Sequence, residues 1–469
     1  MGTAMDDFAH TLQALMAERG VGVRALARQV PCDHALVSRL SSGRQPPSAT
    51  MARRLDEVLA AGGRLAACAD HGPWTGGRTG LPPLSAPVLV RAISRVTLGD
   101  LGRTGIPRRA QLPDPAARGS AALARWAAAA AERPPARATL NRADLDELGE
   151  LAKTADAFRK WGHQYGGGTR RKAVVGQLNE MADLLAEHHS RAVYRRLFGV
   201  AASLALVAGH MSADSGRDWV AHWYFALALD AAREAGDDDM GARVVNALAR
   251  QLVADGRQAE AIGLLRQARQ ALRRRGQDSS AMLAGCTAWA LAFTGSYDSV
   301  ARALDQVTAL ADGHPGSPLF GPPEIAGTAG ACCEALALRG HGPRAARCAT
   351  LAAEHITTAL GSREPFYVRS RVLDLLGLAN VRLAQREPEE AVRTAALSLE
   401  QITALRSSRA EHRVHQFAVR ALTRFPQAPQ AWEFAEMVRA TIPAAPPGAG
   451  RPRGARSHAM DGPRTPAHL

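Results

Sequence analysis

Lysine is almost missing from this sequence. In 469 residues it occurs only as Lys153, Lys160 and Lys172, and the rest of the 58 basic side chains are arginine. Against 44 carboxylates they give a formal charge of +14, which suits a polyanionic partner such as nucleic acid or an acidic membrane surface. Arginine in place of lysine throughout an Ala-, Gly- and Pro-rich chain is also what GC-rich coding produces, so charge alone selects no partner. Cysteine is scarce as well. Cys32, Cys68, Cys286, Cys332, Cys333 and Cys348 include no CxxC pair and have no histidines at zinc-finger spacing, which argues against a disulfide framework or a structural zinc site. Reduced, mostly buried thiols are expected. Long apolar runs are lacking too: the longest, residues 200–208, is shorter than the ~18–20 residues of a membrane span. The N-terminus has no basic segment followed by an apolar stretch and a small-residue cleavage site. The expectation is therefore a soluble, cytoplasmic protein with no membrane partner.

Catalytic and cofactor signatures are equally sparse. No Ser–His–Asp set, paired carboxylates or nucleotide motif stands out, so an enzyme is not expected, and no cofactor or metal either. The adjacent His188 and His189 point to different helix faces and lack a ligand partner at metal spacing. Cys332 and Cys333 read as small packing residues between helices. Gly166, Gly167 and Gly168 before Thr169, Arg170, Arg171 and Lys172 have neither a preceding strand nor the Walker spacing, so they read as a hinge or a helix start.

What the chain does contain is helix. A length of 469 residues exceeds what one hydrophobic core serves, so two or more domains are expected. Residues 1–67 are compact and amphipathic, and the Gly/Pro run from His71 to Gly77 closes them. Residues 68–136 read as a partly ordered linker with one or two helices. Residues 137–440 show apolar side chains at i, i+3, i+4 and i+7 in almost every window, with no alternating strand pattern. Residues 441–469 are Pro-, Gly- and Arg-rich, too poor in apolar side chains to offset ordering, and read as a disordered tail.

Within the helical block a turn-plus-helix layout recurs every 40–45 residues: at 216–221, 255–261, 296–301, 341–346 and 386–391. Small side chains sit where two helices of a hairpin approach closely. The segment resembles tetratricopeptide repeats with helices somewhat longer than usual, so the expected fold is all-α, a small helical head followed by a tetratricopeptide-like α-solenoid. The stripe Trp289, Phe293, Tyr297 and the group Trp219, Trp223, Tyr224, Phe225 read first as inter-repeat core and second as a ligand groove.

The head divides into four short helices. Phe8, Leu12 and Leu15 line the first, which Gly20 and Gly22 close. Leu26 and Ala27 face inward from a second helix at 23–29, and Asp33 is placed to cap a third running through Leu40, with Val37 and Leu40 inward. Ser48 is placed to cap a fourth, whose Met51, Leu55, Val58 and Leu59 complete the bundle. These pieces, with the Ser-Gly-Arg-x-Pro-Pro-Ser run at 42–48, resemble the Xre/Cro-repressor helix-turn-helix family. The closing segment 55–65 resembles actinobacterial members, in which a tetratricopeptide-like domain often follows. Phe158, Arg159, Lys160 and Trp161 with 164–168 are similar to the junction that opens that second domain.

The resemblance implies a transcriptional regulator that binds double-stranded DNA. Its third helix would lie in the major groove, with His34, Ala35, Ser38 and Arg39 reading bases and Arg44 contacting a phosphate. The repeats would make a homodimer and sense a peptide or protein effector. Two departures keep open a different reading, an interaction scaffold with a degenerate head. Pro31 stands where the family's tight turn usually has a left-handed glycine, and Val23 stands where Gln or Ser usually meets a phosphate.

Overall fold

The computed structural model describes residues 4–30, 34–42, 49–59, 61, 65, 85–102, 115–132, 142–272, 278–312 and 320–442. Twenty helices and no strand are found among them, so the all-α expectation holds. The chain divides into two compact units, residues 1–81 and 82–469. The tail from 443 onward, Pro31, Cys32, Arg44 and Cys68 lie outside the described residues.

The first unit is the head: α1 (Ala4–Glu18), α2 (Val23–Gln29), α3 (His34–Ser41) and α4 (Ala49–Val58). Gly20 ends α1 in the left-handed conformation (φ 61°). Its N–H bonds Ala17 O at 3.2 Å, and the N–H of Val21 bonds Met16 O at 2.9 Å, the paired bonds of a glycine C-cap. Val30 ends α2 in extended backbone (φ −103°, ψ 123°). The following proline dictates this, because its ring disfavours helical backbone in the residue before it. Phe8, Leu12, Leu15, Leu26, Val37, Leu40, Leu55 and Leu59 are buried together, as their spacing predicts. Val58 is not one of them: it is 36% exposed, on the outer side of the last turn.

In the second unit α5 (Ala86–Leu101) and α6 (Pro115–Glu132) precede α7 (Arg142–Tyr165) and α8 (Arg171–Ala186). Six hairpins follow: α9/α10 (Arg191–Asp214, Asp218–Ala235), α11/α12 (Asp238–Ala254, Gln258–Leu272), α13/α14 (Asp278–Ala292, Tyr297–Asp312), α15/α16 (Pro322–Arg339, Gly342–Ser362), α17/α18 (Val368–Ala384, Pro388–Ile402) and α19/α20 (Ser408–Arg424, Pro429–Thr441). The stretch read as a linker thus contributes two helices to the helical body, which starts at 82 and not at 137. Trp126 of α6 is fully buried in the main core. The Arg125 guanidinium donates to both Asp230 oxygens of α10 at 2.9 and 2.7 Å. An Ala-rich helix with one tryptophan reads as a connector because most of its buried surface belongs to its neighbours.

The hairpin turns repeat in chemical detail. The N–H groups of Arg217, Arg257 and Glu387 bond carbonyls five residues back, Ser212, Leu252 and Arg382, at 2.8, 2.8 and 3.0 Å. Between helix and bond stands a left-handed residue: Gly216, Gly256 and, without a glycine, Arg386 (φ 67°). The fourth residue of the second helix is buried in five hairpins: Ala221, Ala261, Val300, Ala345 and Ala391. A side chain there stands between the two helices, which is why it is small or β-branched. First helices of successive hairpins pack side by side, α9 on α11, α11 on α13, and so on to α19. They form one continuous inner layer.

Helix α9 carries the run at 200–208 on to Asp214. At 24 residues it is long and apolar enough to cross a membrane, contrary to the expectation that no segment is, but 83% of its most apolar window is buried inside the unit. The array also curls back on itself. Helix α7 packs on both α9 and α17, and α9 reaches α19. Backbone bonds seal the contact: Arg406 N–H donates to Tyr165 O and Gly168 N–H to Arg406 O, each at 3.0 Å. The glycine run read as a hinge or helix start is this clasp. A Cβ on Gly166 would stand 2.7 Å from Arg406 O, and one on Gly167 2.3 Å from Met211 O. Neither approach admits a side chain.

Candidate nucleic-acid interface

The site is built on α3. With about 100° between successive residues of a helix, Leu36, Val37 and Leu40 fall on one arc, and His34, Ser38 and Arg39 on the arc opposite. Val37 and Leu40 are buried, Leu36 is half-buried, and His34, Ser38 and Arg39 are exposed. Ala35 belongs to α3 by its backbone, but its side chain lies outside the description, as does the whole of Arg44. Three of the five residues expected to touch DNA are therefore placed together on one outward face. At eight residues α3 is roughly 12 Å long, and an α-helix is slim enough to enter a major groove about 12 Å wide.

Two contacts fix that face, and a third closes the head core behind it. Gln13 of α1 donates its amide to Ser41 O at 2.5 Å, tying the end of α3 to the first helix. Ser41 Oγ donates to Ser38 O at 3.1 Å, closing the last turn. The buried carboxylate of Asp56 accepts the N–H of Leu65 at 2.7 Å, and Leu65 packs fully buried in the head core. Gln13 escaped sequence reading because a polar residue on an amphipathic helix has the same pattern whether it is solvated or holds a neighbour. Arg39 lies in the last turn of α3, where a cation also complements the helix dipole. Val23 is half-buried against the head core, and Gly22 before it supplies no side-chain cap, so α2 opens without the polar side chain usual at that position. Residues 1–67 hold eight arginines and six carboxylates. The head's attraction for a polyanion therefore depends on where its arginines stand more than on net charge.

Elsewhere the rejected constellations take structural roles. His189 Nε2 lies 2.7 Å from Leu184 O at the end of α8. Cys332 and Cys333 point to different sides of α15, into separate apolar clusters, and burial pushes both thiols above their ordinary pKa, Cys333 to about 12. Trp223, Tyr224 and Phe225 are core. The Tyr224 hydroxyl donates to Asp100 of α5 at 2.8 Å, and Arg171 of α8 pairs with the same carboxylate.

A family model described as a helix-turn-helix domain matches residues 7–67, the span that holds α1 to α4. No curated protein and no solved structure gives a match.

Proposed function

We propose that the protein is a sequence-specific DNA-binding transcriptional regulator of the Xre type, acting in the cytoplasm and by binding alone, with α3 in the major groove. The observation that carries this reading is the outward arc of His34, Ser38 and Arg39, set against buried Val37 and Leu40 within a helix-turn-helix match. Arg39 offers the planar fork that pairs with the two acceptors of guanine, and His34 and Ser38 offer single hydrogen bonds beside it. Arg44 is assigned to a phosphate. The second unit, read as a tetratricopeptide-like array, is the dimerising and effector-sensing part. In a symmetric homodimer the two recognition helices would stand about 34 Å apart, one turn of DNA.

The scaffold alternative draws on one observation, the half-buried Val23 where the family meets a phosphate. Fluorescence anisotropy against the region upstream of the protein's own gene, and against random duplex over a salt series, separates the two. The regulator reading expects a preferred site and affinity that falls steeply with salt. It also expects Arg44→Ala to flatten the salt slope by about one unit on both duplexes. Equal affinity for both duplexes would favour the scaffold.

A further inference from the structure

Because the helical array curls until α7 and α9 meet α17 and α19, the inner layer of first helices faces a lumen. Arginines collect there. Arg250 of α11 is exposed and forms no ion pair with any described residue; its guanidinium lies over the Trp289 ring of α13, 4.7 Å from the centroid. Arg409 of α19 donates to the neutral amide oxygen of Gln251 at 2.9 Å. Arg369 of α17 has only a distant contact, 3.8 Å, with Asp214. The carboxylates that act on these arginines, Asp214, Asp218 and Asp255, also have other partners, Asp255 lying 3.8 Å from His222. Asp214 accepts the Gly167 N–H at 2.8 Å and the Ser407 hydroxyl at 2.7 Å, both in the clasp, and Asp218 accepts the Gln251 amide at 2.8 Å.

His210 of α9 stands at the centre of these three cations. Solvent reaches it, yet protein surrounds it closely enough that burial, then the charges of Arg369, Arg409 and Arg250, push its pKa down to about 3. His163 of α7 is held neutral in the same way, its pKa pushed down to about 2 by burial and by Arg369 and Arg159. Its Nδ1 is buried with no hydrogen-bond partner among the described residues. Three guanidiniums from three different helices face neutral imidazoles and share carboxylates that are also bound by other groups, an arrangement costly to hold together in poorly solvated space. A polyanion would relieve that cost, and guanidinium forks match its oxygens.

We propose that this lumen binds a small, multiply charged anion, a phosphate ester or a polycarboxylate, through Arg250, Arg369 and Arg409. The inference deepens the reading of the second unit as the sensing part by giving the effector's chemistry: a compact anion that fits inside a closed array. It does not depend on how α3 reads DNA.

Isothermal titration of the full-length protein with pyrophosphate, and separately with citrate, tests the proposal and distinguishes the two sources. Saturable binding of one molecule per chain is expected for one probe or both. Arg250→Gln should weaken it about tenfold or more, as the loss of a hydrogen bond to a charged group does, and Arg250→Lys less. Arg250 has no ion-pair partner among the described residues to orphan, so its variants should lose at most the contact with the Trp289 ring and melt close to the parent. Arg344→Gln, on the exposed start of α16, should leave binding unchanged. No saturable binding by either probe overturns the proposal, and so does Arg250→Gln binding like the parent or Arg344→Gln losing as much. DNA affinity measured on the same samples keeps the two readings apart: loss of anion binding with DNA binding intact refutes only the lumen.

Discussion

The two units solve the same problem, an all-helical core, on different scales. The head buries a thin cluster from four helices, none longer than 15 residues, and its interactions join residues close in sequence; the bond from Gln13 to Ser41 spans 28 positions. In the second unit the defining contacts are remote. Arg125 reaches Asp230 across 105 positions, Tyr224 reaches Asp100 across 124, and Ser407 reaches Asp214 across 193. A small core with local contacts leaves one face of one helix exposed. A curled array instead turns a face inward and encloses it.

The strongest test of this contrast is Trp126→Ala. Deleting a fully buried tryptophan should cost the second unit about 3–5 kcal/mol, read as a lower denaturation midpoint. DNA affinity at 20 °C should stay near the parent's if the head folds on its own local contacts. A parallel loss of DNA binding from a still-folded protein would show that the units are energetically one.

Arg39→Ala probes the other side of the comparison. It should cost ~1–3 kcal/mol on the preferred duplex, much less on random duplex, and almost nothing in thermal stability, because Arg39 is exposed. Arg39→Lys should recover only part, lacking the planar fork. Equal losses on both duplexes would make Arg39 a phosphate contact and move base reading to His34 and Ser38.

Acid should separate the units more gently. His163 and His210 stay neutral in the folded protein to about pH 2 and pH 3, whereas unfolded histidine takes up its proton near pH 6.5. Folded pKa values below the unfolded one mean that this stability is fully present above pH 6.5 and is lost progressively as pH falls towards 3. Melting curves between pH 7 and pH 4 should show the second unit weakening, with a shallower decline in the double variant His163→Asn/His210→Asn. An identical decline in that variant would remove both histidines from the account.

The smallest effect expected is a gain. Arg386 adopts the left-handed backbone that glycine holds in the sister turns Gly216 and Gly256. Arg386→Gly should relieve a strain of roughly 1 kcal/mol, partly offset by the added freedom of the unfolded chain, and chemical denaturation would detect the net. A loss of stability would mean that the Arg386 side chain contributes more than its backbone costs.

Much of the architecture was legible in the residues themselves. Leu12, Leu26, Val37 and Leu40 announced the head core by their spacing, and the turns at Gly216 and Gly256 announced the hairpins. Within the head, the face bearing His34, Ser38 and Arg39 followed from its opposition to Val37 and Leu40. Other features had no local mark. Val58 shares the spacing of the core residues but points outward while Leu55 and Leu59 on either side of it point in, and α6 shows mainly alanine until its partners in α10 and α11 are known.

The sequence by itself determined which stretches are helical, where they turn and which face of each is apolar, because helix period, glycine's access to left-handed backbone and proline's restriction of its predecessor act over a few residues. Only the tertiary structure decided that the array closes at Tyr165, Gly168 and Arg406, that α5 and α6 belong to it, and that Arg250, Arg369 and Arg409 share one space. Those outcomes depend on backbone and side-chain pairings between residues remote in sequence, up to 193 positions apart for side chains and further for the backbone clasp, and periodicity specifies that a face must be covered without specifying by what.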